Sequence, residues 1–235
     1  MQQIELDFST FPFSFELKRS RRKTLVIYVK EGKVEVRAPL KASEKWIGSF
    51  LADKSAWIQA QLRQQRQKKQ EALRLVDGSR IEVLGQTLTL QVALGRQSRA
   101  QRSGGTVTLF VRAAHKDKLE KAFMDWLLTE AQRYMPARVE HYARQLGLAH
   151  KLKAVTFRRT RTKWGHCCQD GTIQFNWLVM MAPPAVLEYL IAHETSHLRH
   201  LNHSKKFWET VGSLCPDYKQ HRDWLSDHGH RLWPA

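Results

Sequence analysis

The sequence predicts an α+β protein. A strand-rich N-terminal region with one inserted helix (residues 1–112) precedes a helix-rich region with two further strands (113–235). Three observations carry this reading. The first half holds short apolar and β-branched runs separated by turn residues. Two longer stretches repeat apolar residues at helical spacing. A helical stretch near the C-terminus carries two histidines four residues apart, with a glutamate directly after the first.

Taken in order, Ile4 to Phe8 and Ser14 to Leu17 read as short strands. Leu25-Val26-Ile27-Tyr28-Val29 and Val34-Glu35-Val36 flank Glu31-Gly32, which makes them a hairpin. Ser43 is placed to cap a helix in which Trp46, Ile47, Phe50, Leu51, Lys54, Ile58 and Leu62 follow the helical period. The polar, basic run Gln64 to Gln70 extends it into solvent. Strands return at Ile81 to Leu84, Thr87 to Ala93 and Thr106 to Val111.

In the second region Leu119, Phe123, Trp126, Leu127 and Tyr134 mark one helix. Pro136 starts or kinks another that ends at Gly147. Ala154 to Arg159 and Thr172 to Trp177 read as strands; the latter, if it forms a sheet edge, offers its backbone to an extended peptide. Pro183-Pro184 opens the next helix, with Val186, Leu187, Leu190 and Ile191 as its apolar stripe. Asn202 suits a left-handed stop, and Ser204 suits the N-cap of a helix through Phe207, Trp208 and Val211.

The chemistry lies between those two helices, in His193-Glu194-Thr195-Ser196-His197 and the third histidine, His203. Residues four apart share one helix face, so His193 and His197 can aim an imidazole nitrogen at one ion. Zinc accepts neutral histidine, and a hydrolytic site leaves a fourth position to water. Glu194 is then the base for that water rather than a ligand. His203, in the corner between the helices, is the preferred third ligand. His200 competes, but seven residues set it about 10.5 Å along the axis from His193. Glu209 is a further candidate. The plain alternative is a polar helix face.

Composition sets outer limits. The 235 residues are 42% hydrophobic, enough for a proper core. No basic start with an apolar stretch is seen at the N-terminus, and the apolar run Trp177 to Ala192 is broken by two prolines and Glu188. A signal peptide and a membrane span are therefore not expected. Three cysteines, Cys167, Cys168 and Cys215, fit a reducing cytoplasm better than a disulfide framework. Cys167 reads as a small buried hydrophobe rather than a catalytic thiol.

Charge is the second strong signal. Lysine and arginine number 39 against 22 acids, for a net charge of +17. The cations cluster at Lys18 to Lys23, Arg63 to Lys69, Arg96 to Arg102 and Arg158 to Lys163. Such a field attracts nucleic acid, acidic proteins or anionic surfaces. Arg161 and His166, near the last cluster, are candidates to assist a developing oxyanion or contact substrate. No helix-turn-helix, zinc-finger or RNP pattern is present.

Beyond the histidines, Arg161-Thr162-Lys163-Trp164-Gly165-His166-Cys167, Gly171 to Trp177, Ala182-Pro183-Pro184 and Asn202 to Trp208 follow in order. Together they resemble the YgjP-like metallopeptidase family, whose core is similar to that of SprT-like proteases. The resemblance covers most of the chain. It is weaker in the N-terminal half, where Val36-Arg37-Ala38-Pro39, Trp57-Ile58 and Leu84-Gly85 carry it. It implies a zincin-like core, Zn2+ held by His193, His197 and His203, Glu194 as base, and a protein or peptide substrate. His166 stands where the family pattern has serine. Metzincins share the third-histidine spacing but have glycine at the place of His200 and a downstream methionine turn, which this chain lacks. Two readings follow: a zinc metallopeptidase of HExxH type, acting near nucleic acid, or a basic nucleic-acid-binding protein with a structural or vestigial metal site.

Overall fold

The computed structural model describes residues 11–112 and 115–234, so the strand expected at Ile4 to Phe8 lies outside the described residues. The chain divides into two compact units, Met1–Glu71 and Ala72–Ala235.

In the first unit, β1 (Phe15–Ser20), β2 (Val26–Lys30) and β3 (Lys33–Pro39) form a sheet in the order β1-β3-β2. β1 runs parallel to β3, and β2 antiparallel. Glu31 and Gly32 turn the hairpin with φ of 54° and 76°, the left-handed pair whose twist suits two strands joined tightly. Alternation buries Val34, Val36 and Ala38 on one face of β3. Helix α1 (Glu44–Gln70) starts at Ser43, whose hydroxyl accepts from the Trp46 amide, and it buries Ile47, Leu51, Ile58 and Leu62. Gln65 is more than part of a solvated arm. Its amide accepts from the Gly32 N–H and donates to the Val29 carbonyl, each at 2.8 Å, tying the helix to the hairpin turn.

The second unit opens with β4 (Arg80–Val83), β5 (Gln86–Leu94), β6 (Arg99–Ser103) and β7 (Thr106–Val111), ordered β4-β5-β7-β6. β6 carries no apolar alternation; as an edge strand it needs only one paired side. The sheet buries Ile81, Val83, Leu88, Leu90, Val107 and Leu109 in one core with Phe123, Leu127 and Ala131 of α2 (Lys116–Gln145). That shared core joins the sheet to α2 within the second unit. α2 also runs unbroken through Pro136. Its buried face continues across the proline from Ala131 and Met135 to Val139 and Tyr142, and this packing outweighs the lost amide donor. Gly147, with φ of 69°, ends it.

A second sheet holds β8 (Ala154–Phe157), β9 (Gly165–Cys167) and β10 (Thr172–Phe175) in the order β8-β10-β9. β10 is therefore central, not an edge. Both its sides are taken, by β8 in parallel and β9 antiparallel, and the short β9 forms the edge. Buried Asn176 steadies the loop leading into β9: its Nδ2 donates to the Thr160 carbonyl at 3.0 Å, and its backbone N–H donates to the Trp164 carbonyl at 2.8 Å.

Helices α3 (Pro184–Ser196), α4 (Lys205–Leu214) and α5 (Tyr218–His228) complete the unit, and α3 packs against α2, α4, α5 and β9. The start of α3 is held by the Leu84-Gly85 turn. Leu84 donates to the Met180 carbonyl at 3.0 Å, and Gly85 leaves room only for the Pro184 ring. α3 ends at Ser196, a turn earlier than expected, and Asn202 is not left-handed. Buried Thr195 and Ser196 return their hydroxyls to the carbonyls of Ile191 and Ala192, both at 2.7 Å. No helix among the described residues is long and apolar enough to cross a membrane.

One ionic cluster joins α2 to α3. The Glu188 carboxylate accepts from Arg138 Nη2 and from the Tyr134 and Tyr142 hydroxyls, each at 2.8 Å. Burial works to raise the Glu188 carboxyl, but these donors outweigh it and hold its pKa below 4.5. Glu188→Gln should lower stability by about 2 kcal/mol at neutral pH, read as a shift in urea midpoint. The folded pKa lies below the unfolded one, so the difference from wild type is full above pH 4.5 and shrinks as pH falls through the folded value. A difference that persisted in acid would assign the stability to something other than this carboxylate.

Candidate metal centre

α3 delivers His193 and Glu194 from its last turn, and His197 is its C-cap residue. The chain then bends back through residues 197–203, and Ser204 caps α4 by accepting from the Phe207 amide. This corner returns His203 to the helix. Nitrogens of His193, His197 and His203 all lie within 4.8 Å of one another. Among the described residues, this is the one group of His, Cys, Asp or Glu side chains close enough to share an ion. His193 Nε2 and His203 Nε2 are 3.2 Å apart. Two donors on a tetrahedral zinc with bonds of about 2.0–2.1 Å stand about 3.3–3.4 Å apart, so the spacing fits.

The surroundings fix the protonation of two of the rings. His197 Nδ1 is 2.9 Å from the His200 carbonyl. A carbonyl only accepts, so that nitrogen carries the proton and Nε2 keeps its lone pair. His193 Nδ1 is 3.4 Å from the Tyr189 hydroxyl. Burial, aided by the charges of His197 and His203, pushes the His193 pKa down to about 3. Burial also lowers that of His197, against the His200 carbonyl. Both rings are thus neutral, the form a metal takes. α4 supplies the walls: Phe207 stacks on His197 at 4.4 Å between centroids, and Trp208 on His203 at 5.6 Å.

Glu194, 5% exposed, sits beside the histidines against β9. A Cβ at Gly165 would overlap the Glu194 carboxylate as it stands, so a side chain there would force that carboxylate to move. Burial pushes the carboxyl up to about 8, opposed by the charge of Lys163. A dication on the neighbouring imidazoles acts in the same sense as Lys163. The group lines a cavity of about 510 Å³.

Other expected residues separate here. His166, on β9, lines the cavity, whereas exposed Arg161 does not. His200 contributes its carbonyl, and its ring lies outside the histidine group. Glu209 pairs with Lys205 at 3.9 Å and also lies outside it. Burial and the Glu194 charge push the Cys167 thiol up to about 12, which suits a buried thiol and not a nucleophile. The sequence reading missed Gly165, Lys163, Tyr189 and Arg222 as cavity residues. Only the Trp164-Gly165 pair beside a β-type run hinted at a close approach.

Three histidines close enough to share an ion and a buried glutamate line one cavity. A family model, the YgjP-like metallopeptidase domain, matches residues 23–228, and the chain belongs to that family. Among solved structures, the chain is similar to the metallopeptidase zymogen of Pyrococcus abyssi abylysin. That match has 24% identity and a TM-score of 0.37, covering 40% of this chain and 95% of that one. For the metallopeptidase zymogen of Methanocaldococcus jannaschii jannalysin the values are 17% and 0.33, covering 39% and 96%. No curated protein matches the chain.

Two variants test the arrangement. Gly165→Ala should fold and keep its metal but lose about 10²-fold in peptidase turnover, because the added methyl displaces the Glu194 carboxylate. Wild-type turnover in that variant would show that the approach is incidental. Tyr189→Phe should weaken metal affinity about tenfold in a chelator competition, with the unfolding midpoint little changed. Unaltered affinity would remove the tyrosine from the support of His193.

Proposed function

We propose that this metallopeptidase uses Zn2+ held by His193, His197 and His203, with Glu194 as the general base and acid of peptide hydrolysis. The observation that carries the reading is the convergence of three imidazoles on one point beside the buried Glu194 carboxylate. The donor set supports zinc, since three neutral imidazoles suit it better than they suit the oxygen-seeking cations.

A divalent ion held there would supply Lewis acidity toward a carbonyl and a water. Glu194 orients that water and takes its proton as the new C–O bond forms. It returns the proton to the amine as the C–N bond breaks, so the water ends divided between the two products. Burial keeps the carboxylate poorly hydrated and basic enough for the first transfer. The free edge of β9 suits an extended peptide, which would pair with it and lie across the cavity. His166, on that edge and facing the cavity, is the residue placed to meet a developing oxyanion; Arg161 keeps at most a substrate contact outside it. The cytoplasm is the setting we propose, since Cys167, Cys168 and Cys215 are free thiols.

Exposed Arg96 and Arg99, before and at the start of the edge strand β6, favour a second reading, nucleic-acid binding around a structural ion. One comparison separates the two. Glu194→Gln should keep about one zinc per chain and lose 10²- to 10⁴-fold in cleavage of a denatured protein, as a lost general base does. His203→Ala should lose both metal and cleavage. Wild-type protein that binds polynucleotide in a salt-sensitive way, cleaves nothing when zinc-loaded and is indifferent to Glu194→Gln would favour the second reading.

A further inference from the structure

The charged groups around the cavity are arranged with one sign. Lys163 and Arg222 line it, with His166 between the strand and the solvent, and the single acid among the lining residues is Glu194 beside the histidines. Lys163 acts on Glu194 through its charge, which opposes the rise of that carboxyl. Arg222, on α5, donates from Nε and Nη2 to Asp223 Oδ1 at 3.1 and 3.0 Å, which leaves Nη1. The side chains of that pair are 49% and 63% exposed. An exposed pair of this kind is worth about 0–1 kcal/mol, so a ligand replaces it at little cost.

Position gives Arg222 a role. Its guanidinium carbon is 5.7 Å from the Trp208 ring centroid, and Trp208 in turn stacks on His203. The cation is therefore braced on the aromatic wall of the histidine group. Burial raises the Tyr189 phenol while the Arg222 charge opposes it, which sets that charge close to the tyrosine behind His193. A planar guanidinium takes a carboxylate in two parallel hydrogen bonds, which a lysine does not match. The remaining walls, Trp164, Leu201 and Leu225, offer apolar surface.

Building on the peptidase reading above, we infer that the cavity selects substrates with a carboxylate near the scissile bond, bound by Arg222 and favoured electrostatically by Lys163. An acidic side chain and a free chain terminus present the same chemistry. Either would enter past cations on the α5 and β9 sides of the cavity, while the Glu194 carboxylate lies deeper against Gly165.

The test uses one quenched fluorescent peptide series on zinc-loaded full-length protein. Asp or Glu is compared with Asn or Gln around the cleaved bond, and a free C-terminus with an amidated one. Binding and cleavage are both measured, at low and high salt. Wild type should bind the carboxylate member of at least one pair about tenfold more tightly, as a charge-assisted hydrogen bond would give, and the pair that responds identifies the source. Arg222→Gln should abolish most of that ratio, Lys163→Gln part of it, and Arg222→Glu should turn the preference toward basic peptides. Equal binding of acid and amide in both arms overturns the inference, as does a preference that survives Arg222→Gln and Lys163→Gln together. Carboxylate preference in binding without cleavage of any peptide would instead sink the hydrolytic reading and leave the anion site standing.

Discussion

The structure of the centre depends on one half-buried carboxylate. Glu188 gathers a guanidinium and two phenols from α2 and so fixes the rotation of α3. His193 follows five residues later, about 140° further round the helix, and Glu194 about 120° away in the other sense. Both therefore leave the face opposite to the anchor. Holding one side of a 13-residue helix against α2 sets where the other side points. The proline start and the Leu84-Gly85 turn fix its other freedom, sliding along the axis.

Around that helix the protein assembles a polarising environment from ordinary parts. The His200 carbonyl and the Tyr189 hydroxyl fix the two α3 imidazoles, and Phe207 and Trp208 give the rings flat surfaces to lie on. The Glu194 carboxylate is pressed against a strand that has no side chain at Gly165. The same closeness that excludes water from the carboxylate raises its basicity. Positioning and chemical tuning thus share one cause, the tight approach of β9 to α3.

Much of the fold was legible wherever neighbours in sequence decide the structure. The Glu31-Gly32 turn, the Ser43 and Ser204 caps and the Gly147 stop stand where their residue types place them. The misreadings share a different origin. Pro136 looked like a boundary because the local cost of proline is visible in sequence, whereas the continuous buried face that overrides it is not. β6 and β9 were missed because an edge strand needs neither alternation nor apolar character once a partner is fixed beside it. The Thr172–Phe175 strand has the same composition whether it is central or at an edge, and only its pairing with both β8 and β9 makes it central.

The sequence by itself determined which chemistry was available: two histidines on one helical face, a glutamate between them, and a third histidine just past the helix. Helical periodicity is a property of adjacent residues, so it survives in one dimension. The tertiary structure decided which groups meet. It turned the corner that brings the His203 ring to the other two and leaves the His200 ring outside. It set Gly165 against Glu194, and it carried Arg222 of α5 to the same cavity as Lys163, 59 residues earlier in the chain. Those approaches arise from the packing of α3 against α2, α4, α5 and β9, and a distance between segments far apart in the chain is written in no local pattern.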